Sequence, residues 1–257
     1  VANKDTIQKT ITVAVTLCVV CSVIVSTAAV VLRPAQKANK EADIKTNILR
    51  AADMYEPGKS IDEQFEKVQA KLVDLSSGKF SDAVDVTTYD QFKASKDPAM
   101  SEDLPTEVDI ASLSRLEKYA KVYVVQGNAG VERIILPIRG YGLWSTLKGF
   151  IALESDLNTV IGLGYYEHKE TPGLGGEVDN PKWKALWPGK KVYDAQGNVE
   201  LGVLKGAVDT SAPGAEYKVD GLSGATLTSN GVDYMIKFWL GENGFASFLD
   251  NLKKGEA

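Results

Sequence analysis

The sequence predicts an α+β protein: one N-terminal transmembrane helix, then a mainly antiparallel-sheet domain with flanking helices. Three observations carry that reading. Ile11 to Leu32 is a run of 22 residues without a charge. β-rich stretches cluster from Tyr119 to His168, while stretches of helical periodicity lie toward both ends. Val232, Met235, Ile236, Trp239 and Leu240 fall at helical spacing on one face. The 257 residues, 44% hydrophobic and 25% charged, suffice for a sizeable core. A net charge of −5 and the lack of a basic run that could track phosphates exclude nucleic acid as an expected partner.

The N-terminal run spans roughly 33 Å as a helix, at about 1.5 Å per residue, against a hydrocarbon core of about 30 Å. It is too long for the ~7–15-residue apolar region of a signal peptide, so residues 1–33 read as an uncleaved anchor. Lys4 and Lys9 precede the span; Arg33, Lys37, Lys40 and Lys45 follow it. The flanking charge alone favours a cytoplasmic domain, but a long domain translocates largely regardless of it. Cys18 and Cys21 both lie in the span and read as small hydrophobes. Beyond residue 33 there is no Cys and only one His, His168. That region cannot supply an iron–sulfur cluster, a Cys/His zinc site or a bis-His haem. Any redox cofactor there must be organic, and no metal site is expected.

Residues 34–118 form a juxtamembrane helical and irregular region. Ala42, Ile44, Ile48, Leu49 and Ala52 continue the anchor as a helix until "PGKS" breaks it. Ser60 and Glu63 make a capping box, and Ile61, Phe65, Val68, Leu72 and Leu75 predict one helical face. Residues 76–118 are polar, with Pro98 and Pro105, and read as loops and short elements.

Residues 119–257 are the main domain. "YAKVYVVQ" and "VERIILPIR" flank "GNAG" and predict a hairpin. "GFIALE" and "TVIGLGYYEH" predict two more strands. "NPKWKALWPGK" places Trp183, Leu186 and Trp187 on a short helical turn, and "KVYDAQGNVELGVLKG" predicts a hairpin turning at Gln196–Gly197–Asn198. The last amphipathic helix is opened by "SGATLTSNG", with Thr228, Ser229 or Asn230 as N-cap, and ended by Gly241. The run of small residues sits where unpaired N–H groups and the positive end of a helix dipole point outward, which suits a phosphate as well as an ordinary cap.

The longer stretch "DGLSGAT", Asp220 to Thr226, resembles the flavinylation signature Asp-Gly-x-Ser-Gly-Ala-Thr read by a dedicated flavin transferase. "GYGLWSTLKGFIAL" (140–153) and "HKETPGLGGEV" (168–178) resemble the two other blocks of the FMN-binding domain of respiratory flavoprotein subunits. With its single span, the whole chain is similar to the C-subunit family of the sodium-translocating NADH:quinone reductase; the G-subunit of the Rnf-type electron-transport complex is related. The long insertion before Tyr119 favours the former.

The resemblance implies a covalent FMN-binding domain at 119–257, with FMN joined through its phosphate to Thr226. It implies partners in the other subunits of the complex, a flavin transferase for maturation, and an inner-membrane location with the flavin domain on the periplasmic side. The function it implies is single-electron relay inside an enzyme complex, with no catalytic residue of its own. Ser223, Gly224 and Ala225 leave room beside the acceptor hydroxyl. Asp220 is a recognition or metal-orienting residue for the transferase, or a turn cap. In "ETPGLGG", Pro172 fixes φ while Gly173, Gly175 and Gly176 allow backbone approach to a flat ring. Glu170, Thr171 and Leu174 are candidate ring contacts, and Leu143, Trp144 and Ser145 a second wall, with a core role open for Trp144. Lys205 is a candidate cation for the phosphate or ring, or a solvated lysine. His168 reads as structural. No G-x-G-x-x-G opens a helix after a strand, so no NADH site is expected, and the uncharged span offers no quinone or sodium site. Two rivals remain: an anchored hydrolase using Ser223 or Thr226, which lacks a G-x-S-x-G elbow, and an anchored binding or assembly module without covalent flavin.

Overall fold

The computed structural model describes residues 6–127 and 130–257. It divides into two units, residues 1–44 and 45–257. Helix α1, Ile7–Ala51, makes up the described part of the first unit and ends in the second. It is the one helix among the described residues long and apolar enough to cross a membrane. The anchor therefore runs on as a helix past Leu32 and through Pro34, as expected from the spacing of Ala42 to Ala52.

The second unit is built on a six-stranded antiparallel sheet. The first elements are α2 (Ile61–Phe65), β1 (Val68–Asp74) and β2 (Lys79–Phe80). α3 (Gln91–Ala94), β3 (Ser101–Asp103) and β4 (Arg115–Glu117) follow. The central strands are β5 (Tyr119–Gly127), β6 (Gly130–Tyr141), β7 (Thr146–Glu154) and β8 (Val160–Glu167). The sheet order is β2-β1-β5-β6-β7-β8. Asn128 and Ala129, in the expected β5–β6 turn, lie outside the described residues, as does Lys4.

One expected helix is a strand. Ile61, Phe65, Val68, Leu72 and Leu75 fit a helical face, yet only Ile61–Phe65 is helical and Val68–Asp74 pairs with β5 along its whole length. Val68 and Leu72 are four residues apart, a spacing that serves one face of a strand as well as one face of a helix. The expected capping box also fails to form: Ser60 makes no side-chain cap bond. Gln64 instead accepts from the Glu56 N–H at 2.7 Å and donates to the carbonyls of Glu56, Lys59 and Ser60.

The two faces of the sheet bury different partners. On one, Val122, Val124, Ile134, Leu136, Ile138, Ile151 and Leu163 pack with Val232, Met235, Ile236 and Trp239. The last four belong to helix α5, which is given below with the site. On the other, Phe65, Tyr123, Phe150 and Tyr166 form an aromatic row with centroids 5.3 to 6.1 Å apart. The end of α1 closes on β8 there: a Cβ at Gly162 would stand 2.7 Å from the Ala51 carbonyl oxygen.

After β8 the chain turns through residues 168–180 into α4, Pro181–Lys184. Asn180 caps α4 by accepting from the Lys182 N–H at 2.9 Å. Trp183 and Trp187 pack edge to face at 5.4 Å. The hairpin expected over 191–206 shrinks to a single bridge, Tyr193 to Val199. Asp194 Oδ1 takes the N–H groups of Gln196 and Asn198, which closes the turn at the expected place. Beyond it β9 (Gly202–Val203) pairs in parallel with β10 (Lys218–Val219). Helix α5 is Thr226–Leu240, and α6 is Ala246–Lys254.

Candidate functional site

α5 begins earlier than its hydroxyls suggest. Its N-cap is Ala225, which has no side chain to cap with, and Thr226 is the first helical residue. This corrects the expectation that Thr226 lies in a loop and that Thr228, Ser229 or Asn230 is the cap. The hydroxyls of Thr228 and Ser229 have other partners. Thr228 donates to Glu170 Oε2 at 2.8 Å, and Ser229 Oγ accepts the Leu222 N–H at 2.9 Å. Both side chains are buried, so these bonds fix the first turn from within. The leading N–H groups of α5 have no intrahelical acceptor, which is true of any helix start.

The motif residues divide by exposure. Ser223, Gly224 and Thr226 are exposed, whereas Leu222 and Ala225 are buried. Gly224 has φ +72°, in the left-handed region that favours glycine, and a Cβ there would meet Leu174 Cδ2 at 3.2 Å. Asp220 holds a turn: its Oδ1 accepts the Val208 N–H at 2.8 Å and its carbonyl accepts from Trp183 Nε1 at 2.8 Å. The Gly221 N–H donates to the Gly206 carbonyl at 2.9 Å. A Cβ at Gly221 would stand 2.2 Å from the Leu204 carbonyl oxygen, so the segment bearing Lys205 is pressed onto the motif. Lys205 itself is exposed, with no ion-pair partner among the described residues.

Residues 143–145, 170–175 and 223–227 also expose apolar side chains. Leu143, Trp144, Leu174 and Leu227 are exposed, Trp144 by 65%. Trp144 is therefore no core residue. Thr171, Pro172 and Gly173 form an exposed turn in which Gly173 has φ +77°, and a Cβ there would meet nothing within 4 Å. Two N–H groups of this turn are spent within it. Those of Leu174 and Gly176 both donate to the Thr171 carbonyl, at 3.1 and 2.9 Å.

Glu170 is nearly buried, 5% exposed. Its Oε1 accepts the N–H groups of Trp144 at 2.9 Å, Leu143 at 3.2 Å and Ser145 at 3.2 Å. Burial pushes the Glu170 carboxyl up, but the Trp144 N–H, the Thr228 hydroxyl and the N–H groups of Leu143 and Ser145 outweigh it and hold the group below the usual carboxylate range. Ser145 Oγ in turn accepts the Lys169 N–H at 2.8 Å. Beside Glu170, His168 pairs through Nε2 with Asp179 at 2.7 Å, and its Nδ1 accepts the Glu170 N–H at 3.2 Å. Thus the fold brings together 143–145, 170–175 and 223–226, three stretches far apart in sequence. Thr228, Ser229 and Leu227 escape the sequence reading as site residues.

These residues suit a flavin phosphate ester: an exposed threonine hydroxyl on a helix N-terminus, a glycine bend beside it, and exposed apolar side chains for a flat ring. The class they define is that of the FMN-binding domain proteins, and the FMN-binding domain family matches residues 142–241. The chain is 54% identical to the Na(+)-translocating NADH-quinone reductase C-subunit of Pseudomonas aeruginosa, over the whole of both chains. It is 48% identical to the C-subunit of Vibrio vulnificus, over 99% of this chain and 98% of that one. NqrC of Shewanella oneidensis, known from a crystal structure, superposes with a TM-score of 0.77 at 34% identity, covering 84% of this chain and 99% of that chain. The chain belongs to the NqrC family, the C-subunits of the Na(+)-translocating NADH-quinone reductase.

Proposed function

We propose that this chain carries FMN joined through its phosphate to Thr226 and relays single electrons within a sodium-translocating NADH:quinone reductase. The observation that carries this reading is Thr226 itself. It is exposed, it opens α5, and it ends the "DGLSGAT" stretch inside the FMN-binding domain match. The flavin, when bound, supplies the redox chemistry. The chain's own residues bind and orient. The N-terminus of α5 favours the phosphate charge, worth about 0.3–1 kcal/mol at an exposed site. Leu143, Trp144 and Leu174 offer apolar surface to the ring, with Thr171, Pro172, Gly173 and Gly175 as the turn beside it. Lys205 is a cation for the phosphate or ring. Ser223 and Gly224 keep the approach to the hydroxyl open for a flavin transferase, and Asp220 and Ala225 hold the loop's shape.

α1 anchors the chain in the inner membrane, with residues 45–257 on the periplasmic side, and the other subunits of the complex are its electron donors and acceptors. Thr226→Ala is the test. The variant should fold and insert, because it loses only an exposed hydroxyl and a methyl. Its band should lose flavin fluorescence after denaturing electrophoresis, and mass spectrometry of the parent should find one FMN-sized adduct on the Thr226 peptide. An adduct that survives the substitution would move the linkage to another residue.

A further inference from the structure

We propose that Glu170 is the positioning residue of this site: its carboxylate ties the 142–145 loop and the 170–176 turn to the first turn of α5 through Thr228, and so sets where Thr226 stands against Leu143, Trp144 and Leu174. The inference rests on the reading of Thr226 as the flavin-bearing residue.

The geometry assigns the carboxylate to the chain. Oε1 takes three consecutive N–H groups, those of Leu143, Trp144 and Ser145, and Oε2 takes the Thr228 hydroxyl at 2.8 Å and a second, 3.2 Å contact from the Leu143 N–H. Both oxygens are occupied by donors from two other segments, and the residue is nearly buried.

The glycines around it support the same assignment. A Cβ at Gly142 would stand 2.7 Å from Glu170 Oε1. A Cβ at Gly175 would stand 2.5 Å from Thr228 Oγ1 and 2.7 Å from Glu170 Oε2. Three segments therefore close on one carboxylate with no room for a methyl group. Thr228 lies two residues past Thr226 on the same helical turn, so a change in the tie is passed to Thr226 through rigid backbone. Glu170 also places a negative charge at a helix start that has no side-chain cap of its own.

Three full-length variants separate the parts. Thr228→Val cuts the tie to the helix while keeping side-chain volume, Thr228→Ser keeps the tie, and Glu170→Ala cuts every bond. The first readout is amide hydrogen exchange at residues 143–145, which needs no flavin. Exchange should be at least tenfold faster in Glu170→Ala and unchanged in Thr228→Val. The second is the midpoint potential of the attached FMN, which should shift in Thr228→Val and return to the parent value in Thr228→Ser. Parent-like exchange in Glu170→Ala, or a Thr228→Val potential that overlays the parent, would overturn the assignment. Should Glu170→Ala fail to fold, the two Thr228 variants decide alone. A parent without an adduct on the Thr226 peptide would refute the flavin reading instead, and the exchange readout would then judge the clamp.

Discussion

Two irregular stretches of this chain are both shaped by carboxylates, and they use them in opposite ways. In residues 81–114 three carboxylates, those of Asp85, Asp90 and Asp109, act on their own neighbourhood. Asp85 accepts from the Thr87 N–H at 2.9 Å, Asp90 from the Lys93 N–H at 3.1 Å, and Asp109 from the Leu113 and Ser114 N–H groups at 2.7 Å each. Each holds one turn, at or near the surface, within five residues of itself. In residues 168–176 a single buried carboxylate gathers donors 25 to 58 residues away. The first arrangement builds a covering that can lose one turn without losing the rest. The second makes one group answer for the relative placement of three segments, and that is the arrangement found at the candidate flavin site.

The sharpest test of the contrast is Glu170→Ala. It removes the acceptor for three N–H groups and a buried hydroxyl. At about 1–3 kcal/mol for each buried donor left unpaired, and with water able to reach part of the loop, the expected loss is about 2–4 kcal/mol in denaturant unfolding of the parent against the variant. The pH dependence has a definite sign. The folded carboxyl is held below its ordinary value, while the unfolded group titrates near 4.3. The stabilisation is therefore fully present above about pH 5 and is lost as pH falls through the folded value. The gap between parent and variant should stay constant from neutrality down to about pH 5, then narrow. A gap under about 1 kcal/mol at pH 7 would place Glu170 with the local caps.

The same contrast explains what the sequence discloses. An Asp two to five residues before the amide N–H that donates to it is a local pattern. So are the apolar runs of β5 to β8 and the helical face of Val232 to Leu240, and these elements are legible. The apolar surface at Leu143, Trp144 and Leu174 and the acceptor Thr226 are reached through resemblance of whole motifs. The tie between Glu170 and Thr228 is not legible, because nothing in a local window says that a threonine in the first turn of a helix faces a carboxylate 58 residues earlier. For that reason Thr228 and Ser229 look like caps, and the sequence starts α5 later than Thr226. β1 reads as a helix because Val68 and Leu72 satisfy both periods. Its partner strand, which decides the matter, begins at Tyr119.

A smaller effect is expected from the glycines of the 170–176 turn, which are required for different reasons. Gly175→Ala puts a methyl against Thr228 Oγ1 and Glu170 Oε2, an overpacking cost of about 1–3 kcal/mol. Gly173→Ala meets no atom but keeps φ at +77°, which costs about 1–2 kcal/mol for a residue with a Cβ. Amide exchange distinguishes them: Gly175→Ala should expose residues 143–145 and Gly173→Ala should not. Equal exchange at 143–145 in the two variants would mean that the clamp tolerates displacement and is less rigid than its contacts imply.

In the other stretch, Asp90→Ala removes the cap of α3. The loss should be about 1 kcal/mol, the usual worth of an N-cap. It should add to that of Glu170→Ala within about 0.5 kcal/mol, because the two share no partner. Strong non-additivity in the double variant would show that the covering and the site are energetically one body, and would remove the distinction between them.

The smallest effect belongs to His168, where the two kinds of contact meet on one ring. Its Nε2 faces Asp179 at 2.7 Å, and its Nδ1 accepts the Glu170 N–H at 3.2 Å. The bond to Asp179 pulls the imidazole pKa above its ordinary value, while burial pulls the other way. The Glu170 N–H also opposes protonation, since Nδ1 accepts only while it carries no proton. A raised folded pKa contributes stability that is complete below the unfolded value near 6.5 and lost as pH rises through the folded value. Asp179 is exposed, so the pair is worth at most about 1 kcal/mol. His168→Gln should therefore be less stable than the parent by that amount at pH 5.5, with the difference fading toward pH 8. The chain has one histidine, so a single imidazole resonance followed by NMR reports the titration without ambiguity. An apparent pKa below 6.5 would mean that the bond from the Glu170 backbone outweighs Asp179, and that His168 serves the buried carboxylate's segment more than its own surface ion pair.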